Sequence, residues 1–152
     1  MDLLAAIRPD SWNLPLFVHV LGAMILVGGT LTAVAALSIA RGREQLVRLG
    51  YRSLLVVALP GWALMFGAAE WSHREEGLAD EPIDSAWLLI GFLVAEVGFV
   101  LLLASLALGG LGVRRLAHGR GSALLLRATL AISVILLAAY AVAVWAMTAK
   151  PV

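Results

Sequence analysis

The chain has 152 residues, of which 62% are hydrophobic and 14% are charged, and its mean hydropathy of +0.97 is too high for a water-soluble domain. The net charge of +1 provides no basic surface for nucleic acid, and the lack of cysteine excludes disulfides, Cys-ligated zinc and iron–sulfur clusters. The apolar residues form four blocks, each near the ~20 residues that a helix needs to cross a bilayer. We therefore predict an all-α membrane protein, with residues 1–152 forming a single transmembrane domain.

The first predicted span starts at Leu14, with Pro15 in its first turn, where a missing N–H costs little. This block is too long for the apolar part of a signal peptide, so we expect it to be retained. In the second span, Pro60-Gly61 predicts a kink. The four predicted spans cover residues 14–40, 54–71, 86–111 and 123–148.

Lysine and arginine are concentrated in two of the segments that connect the spans. Eight of the eleven lie between spans 1 and 2, between spans 3 and 4, or near the start of span 4, namely Arg41, Arg43, Arg48, Arg52, Arg114, Arg115, Arg120 and Arg127. Cytoplasmic loops carry such an excess, so both termini and the acidic segment from Glu75 to Asp84 are predicted to lie outside. We interpret that acidic segment as a solvated loop, because it lacks the regular ligand spacing of a calcium site.

The short connections favour antiparallel neighbours and therefore an up-and-down four-helix bundle. Helices in lipid gain no hydrophobic advantage from association, so they pack closely through small residues. In the first span Gly22, Gly29, Ala33 and Ala36 fall on one side of the helix. We predict that this side faces protein.

His19 and Glu96 are ionisable residues inside predicted spans, and such residues are costly enough in lipid to be candidate functional residues. Helical spacing places His19 on the small-residue side of its span, which points into the bundle. Counting inward from the outer ends of the spans puts His19, Glu96, Trp62 and Tyr140 at similar levels in the outer half. These residues could bind a cofactor or metal ion, or relay protons. Alternatively, His19 donates a hydrogen bond to a backbone carbonyl or Glu96 and ties helices together.

The segment from Phe17 to Ala23, followed by Val27-Gly28-Gly29, resembles the first helix of several small bacterial membrane proteins. These are an uncharacterised family of four-helix integral membrane proteins, the copper-resistance D family and the four-helix membrane protoporphyrinogen oxidases, which bind haem b. Leu59-Pro60-Gly61 and the segment from Met147 to Pro151 are similar to the uncharacterised family. The resemblance implies a multi-pass protein of the bacterial cytoplasmic (inner) membrane.

The resemblance also implies a role for His19, which matches a histidine proposed as a haem or metal ligand in the better-known families. Lys150-Pro151 matches a terminal Lys-Pro of the uncharacterised family. The chain differs from the oxidases at Ser38 to Arg43, where they have a second histidine.

From these features we expect a redox-related binding protein with a site formed by His19 and Glu96, lined by Trp62 and Tyr140. The expected ligand is haem b or a metal ion. The alternatives are an accessory or structural subunit that binds a membrane protein or a second copy, and a small transport or proton-relay element. No nucleophile–base arrangement or nucleotide motif indicates an enzymatic reaction.

Overall fold

The structure is a computed structural model that describes residues 10–75 and 86–149. Within these residues the chain forms four helices and no β-strand, and all four helices are long and apolar enough to cross a membrane. This confirms the predicted all-α class and the predicted number of long apolar helices. The acidic residues from Glu76 to Asp84, and Lys150-Pro151, lie outside the described residues. The helices are α1 (Asp10–Ile39), α2 (Glu44–Glu75), α3 (Ala86–Ala117) and α4 (Ala123–Ala149).

The helices α2 and α3 are longer than predicted at the ends that carry the arginines. α2 starts at Glu44, ten residues before the predicted start at Leu54. Its first ten residues were expected in a loop because they are charged, but the charges occupy one face, where Arg48 Nε donates to Glu44 Oε1 over 2.7 Å. The opposite face buries Val47 and Gly50. Burial of that face extends the helix, as an amphipathic pattern allows.

The predicted irregularity at Pro60 takes the form of a π-helical turn over Leu54–Ala58, directly before the proline. In this turn the N–H of Leu59 bonds to the carbonyl of Leu54, five residues earlier. A regular α-helix would place the ring of Pro60 against the carbonyl of Val56, to which proline cannot donate. The wider turn accommodates the proline without interrupting the helix.

The small-residue side of α1 faces protein, as predicted. Gly22, Gly29, Ala33 and Ala36 are all buried, whereas the neighbouring Gly28 is exposed. The buried side packs mainly on α2 and also on α4.

At two of these glycines the backbones of α1 and α2 are nearly in contact. A Cβ atom added to Gly22 would clash with the backbone N of Met65, and one added to Gly29 would lie 2.7 Å from the backbone N of Ala58. From the other side, a Cβ on Gly61 of α2 would lie 2.6 Å from the backbone N of Leu26. Any side chain at these positions would force the helices apart.

The bundle places sequential helices side by side. α1 packs on α2, α3 packs on α4, and α1 also packs on α4. The turns at 40–43 and 118–122 join the helices at one end, which we call the basic end because the arginines cluster there. The opposite end, where α1 begins and α4 ends, is the terminal end. α2 and α3 contact each other mainly near the basic end.

The core is small and the outer surface is apolar. Leu26, Leu54, Leu102 and Leu136 form the buried centre, where the four helices meet. Large apolar side chains also cover the outside, with Met24, Val56, Val100 and Leu124 between 64% and 81% exposed. Such a surface suits a helix bundle surrounded by lipid.

Candidate functional site

The four predicted site residues lie at similar levels along their helices. Measured from the midpoint of each helix at ~1.5 Å per residue, His19 and Glu96 lie about 8 Å, Tyr140 about 6 Å and Trp62 about 4 Å toward the terminal end. All four are therefore within the ~15 Å half-thickness of a hydrocarbon core centred on the helices.

His19 ties α1 to α2. Its Nδ1 lies 2.9 Å from the carbonyl oxygen of Met65. Since a carbonyl oxygen only accepts, Nδ1 carries a proton in this contact, and Nε2 is the ring nitrogen that the bond leaves free. The contact is possible because Gly22, one turn further along α1, lets the backbones approach at Met65. A backbone carbonyl is one of the two partners predicted for a structural role of His19.

Trp62 ties α2 to α3. Its indole Nε1–H donates to the carbonyl oxygen of Ala95 over 3.0 Å. Its ring stacks on Phe66 with centroids 5.0 Å apart and on Phe99 with centroids 3.9 Å apart. The aromatic side chains fill the space between α2 and α3 on the terminal side of the bundle. Trp62 therefore has a clear packing role.

Tyr140 of α4 packs against α3 at Gly98, about one turn after the Ala95 carbonyl that Trp62 contacts. The side chain is only 4% exposed, and a Cβ on Gly98 would lie 3.3 Å from its ring. Its hydroxyl is buried and forms no hydrogen bond with any described residue. A buried hydroxyl without a partner is costly, so a water molecule or a ligand atom is expected beside it. The structure thus brings Tyr140 and Trp62 to the same stretch of α3, at Ala95 to Gly98.

Glu96 lies in the same stretch of α3, but its side chain points away from Trp62 and Tyr140, toward the outside of the bundle. Its side chain is exposed and forms no hydrogen bond or ion pair with the described residues. The expected pairing of Glu96 with His19 is therefore not present, because the His19 Nδ1–H is directed to Met65 and Glu96 is on the outer face. The structure brings Trp62 and Tyr140 together and leaves Glu96 apart.

The described residues do not contain a cluster suited to a metal ion. Across residues 10–75 and 86–149, no group of three or more His, Asp or Glu side chains is close enough to share one. Within these ranges His19 also forms no hydrogen bond or ion pair with a carboxylate.

A polar contact between α3 and α4 was not predicted. Ser133 Oγ donates to the carbonyl oxygen of Thr129 over 2.8 Å, and Ser105 Oγ from α3 lies 3.2 Å from Ser133 Oγ. All three residues are buried. The four-residue spacing of Thr129 and Ser133 was a signal for this contact, since it places both hydroxyls on one face.

Comparisons with protein-family models, curated proteins and solved structures find no match to this chain. The similarity of the His19 segment to the three membrane protein families therefore stays a prediction.

Proposed function

We propose that this chain is a multi-pass protein of the bacterial cytoplasmic membrane, with both termini outside and the basic end in the cytoplasm. The support is the distribution of charge. Eight arginines and a single carboxylate, Glu44, lie at the basic end of the described chain. Short loops with such an excess of arginine are retained on the cytoplasmic side.

Thiol labelling tests this orientation, since the chain contains no cysteine. Asp80→Cys, in the acidic segment, is expected to react with a membrane-impermeant reagent in intact cells. Gly121→Cys, exposed in the turn before α4, is expected to react only after the cells are opened. Labelling of Gly121→Cys alone in intact cells would reverse the orientation.

Within the membrane we propose the role of an accessory subunit, which binds a partner protein through one face of α3. The observation that carries this proposal is the exposed carboxylate of Glu96, which has no partner among the described residues. At about 8 Å from the helix midpoint it is inside the hydrocarbon layer, where an ionisable side chain normally faces protein or a water-filled cavity.

The surroundings of Glu96 define the surface and the chemistry of the partner. Leu89, Leu93, Val97 and Val100 are exposed on the same side of α3, each 49% to 64% accessible. We call these residues with Glu96 the Glu96 face. The partner that suits it is a transmembrane helix with small or apolar residues and one hydrogen-bond donor at the level of Glu96.

A cross-linking experiment tests the Glu96 face. A photoreactive amino acid at Val100 is expected to give one discrete protein adduct in intact membranes. Glu96→Leu should abolish this adduct, because the face then becomes uniformly apolar and no longer needs a polar partner. The matched control is Val144 on α4, which is also 51% exposed and apolar.

The mass of the adduct distinguishes a second copy of this chain from a different protein. Equal adducts from Val100 and Val144, or an adduct from Val100 that persists in Glu96→Leu, would contradict the proposal.

A second candidate function, haem b binding, rests on the geometry of His19. Histidine ligands usually donate their other ring N–H to a carboxylate or a backbone carbonyl, which orients the ring and leaves one nitrogen free for the metal. The bond from His19 Nδ1–H to Met65 provides this arrangement, with Nε2 as the free nitrogen. His19 is thus the residue that would hold the iron, and haem would supply one-electron chemistry when bound.

A further inference from the structure

A groove runs along the outside of the bundle between α1 and α2, toward the basic end. Its volume is about 370 Å³, at the lower end of the range of sites that bind small organic molecules. It is separate from the His19 region and from the Glu96 face. The lining residues are Gly28, Gly29, Thr32, Leu49, Arg52, Ser53, Val56 and Val57.

The groove results from the close crossing of the two helices. Gly29 touches α2 at Ala58, and Ser53 Oγ donates to the carbonyl oxygen of Gly29 over 2.8 Å, which closes the floor. On the outer side, a Cβ on Gly28 would meet no atom within 4 Å, so the missing side chain leaves open space. The π-helical turn of α2 forms the opposite wall at Val56 and Val57.

Arg52 lies in the part of the groove toward the basic end, one turn of α2 inside Leu49. Counted from the helix midpoints, Gly28 and Val56 lie about 5 Å, and Thr32 and Arg52 about 11 Å, toward that end. The apolar part is therefore at the depth of lipid acyl chains. The long side chain of Arg52 can extend the remaining few ångströms to the headgroup region.

The charge of Arg52 is not neutralised by the described part of the protein. Its guanidinium forms no ion pair there, and the one carboxylate at the basic end, Glu44, is bonded to Arg48. A phosphate group matches the fork of donors that a guanidinium presents. The charge of the site thus selects an anion, and the apolar groove selects a hydrocarbon chain attached to it.

We propose that this groove binds an anionic phospholipid, with one acyl chain between α1 and α2 and the phosphate on Arg52. The ligand belongs to the leaflet that faces the basic end. A neutral lipid would fill the apolar groove but would bring no net negative charge to the surplus of arginines.

The proposal is tested with the full-length protein purified in mild detergent. Phosphatidylglycerol and phosphatidylcholine with identical acyl chains are titrated separately, and bound lipid is counted by native mass spectrometry. We expect the first phosphatidylglycerol to bind about tenfold more tightly than phosphatidylcholine, because the choline ammonium neutralises the phosphate of the second lipid and opposes its attraction to Arg52. Arg52→Gln should remove this preference.

Two matched pairs of variants separate the groove from general effects. Arg127→Gln removes another exposed arginine at the basic end and should leave the preference unchanged. Gly28→Leu on α1 fills the groove and should weaken the binding of both lipids. Gly67→Leu, at an exposed glycine of α2 with open space beside it, should weaken the binding of neither.

Two outcomes would overturn the proposal. One is equal binding of the two lipids by the unaltered protein. The other is a loss of preference in Arg127→Gln as large as that in Arg52→Gln, which would indicate attraction by the whole basic end. The arginine pair decides the question independently of the two glycine variants.

Discussion

Replacing Gly29 by leucine is expected to lower the free energy of unfolding by about 3 kcal/mol or more, at or beyond the upper end of the usual cost of overpacking. The Cβ alone would lie 2.7 Å from the backbone N of Ala58, and a backbone atom cannot move aside as a flexible side chain can. The same substitution would break the hydrogen bond from Ser53 Oγ to the carbonyl oxygen of Gly29, because the helices must separate. Unfolding in mixed detergent micelles measures the change.

The adjacent glycine supplies the control. Gly28→Leu makes the same chemical change one residue away, on the exposed side of α1, where nothing lies within 4 Å. We expect its free energy of unfolding to stay close to that of the unaltered protein or to rise slightly, since leucine is a better helix former than glycine. A similar loss of stability in both variants would mean that helix propensity or insertion, rather than the crossing at Ala58, determines the effect.

The contrast between these two glycines indicates what could be predicted from the sequence. Gly22, Gly29, Ala33 and Ala36 recur with helical spacing, and close packing of small residues is what holds helices together in lipid, so the buried side of α1 was predictable. The four spans were predictable for a related reason, because their length is set by the thickness of the bilayer.

The start of α2 and the direction of Glu96 could not be predicted with the same rules. Charged residues from Glu44 to Arg52 indicated a loop, but one buried face with Val47 and Gly50 is enough to continue the helix. α3 is apolar on nearly every side, so its sequence has no strong polar face from which an orientation could be read. Glu96 was placed at a similar level to His19, but its direction depends on tertiary packing.

The hydrogen-bond partner of His19 also depends on tertiary packing and could not be predicted from the sequence. The position of Met65 opposite His19 follows from the crossing of α1 and α2 at Gly22, which two separate helix patterns do not specify. For a structural role of His19, the sequence left two partners open, a backbone carbonyl and Glu96. In the structure His19 bonds to the carbonyl oxygen of Met65. A separate experiment decides whether Nε2 also binds a ligand.

Two substitutions of His19 separate its structural role from a role as haem ligand. His19→Asn keeps an N–H donor near the position of Nδ1 but removes Nε2, whereas His19→Ala removes both. We expect His19→Ala to lower the free energy of unfolding by about 1–2 kcal/mol, from a lost hydrogen bond and a small cavity, and His19→Asn to recover most of it. Denaturation of the apoprotein in detergent checks this pair.

The same two variants, purified with haem b supplied during expression, test the second candidate function by their absorption spectra. If Nε2 holds the iron, the unaltered protein shows a Soret band, and both variants lose it although His19→Asn remains stable. Loss of the band in His19→Ala alone would trace it to general destabilisation, because His19→Asn also lacks the ligand nitrogen. A colourless unaltered protein would rule out haem at this position, and His19 would then act only through its bond to Met65, as the tie between α1 and α2.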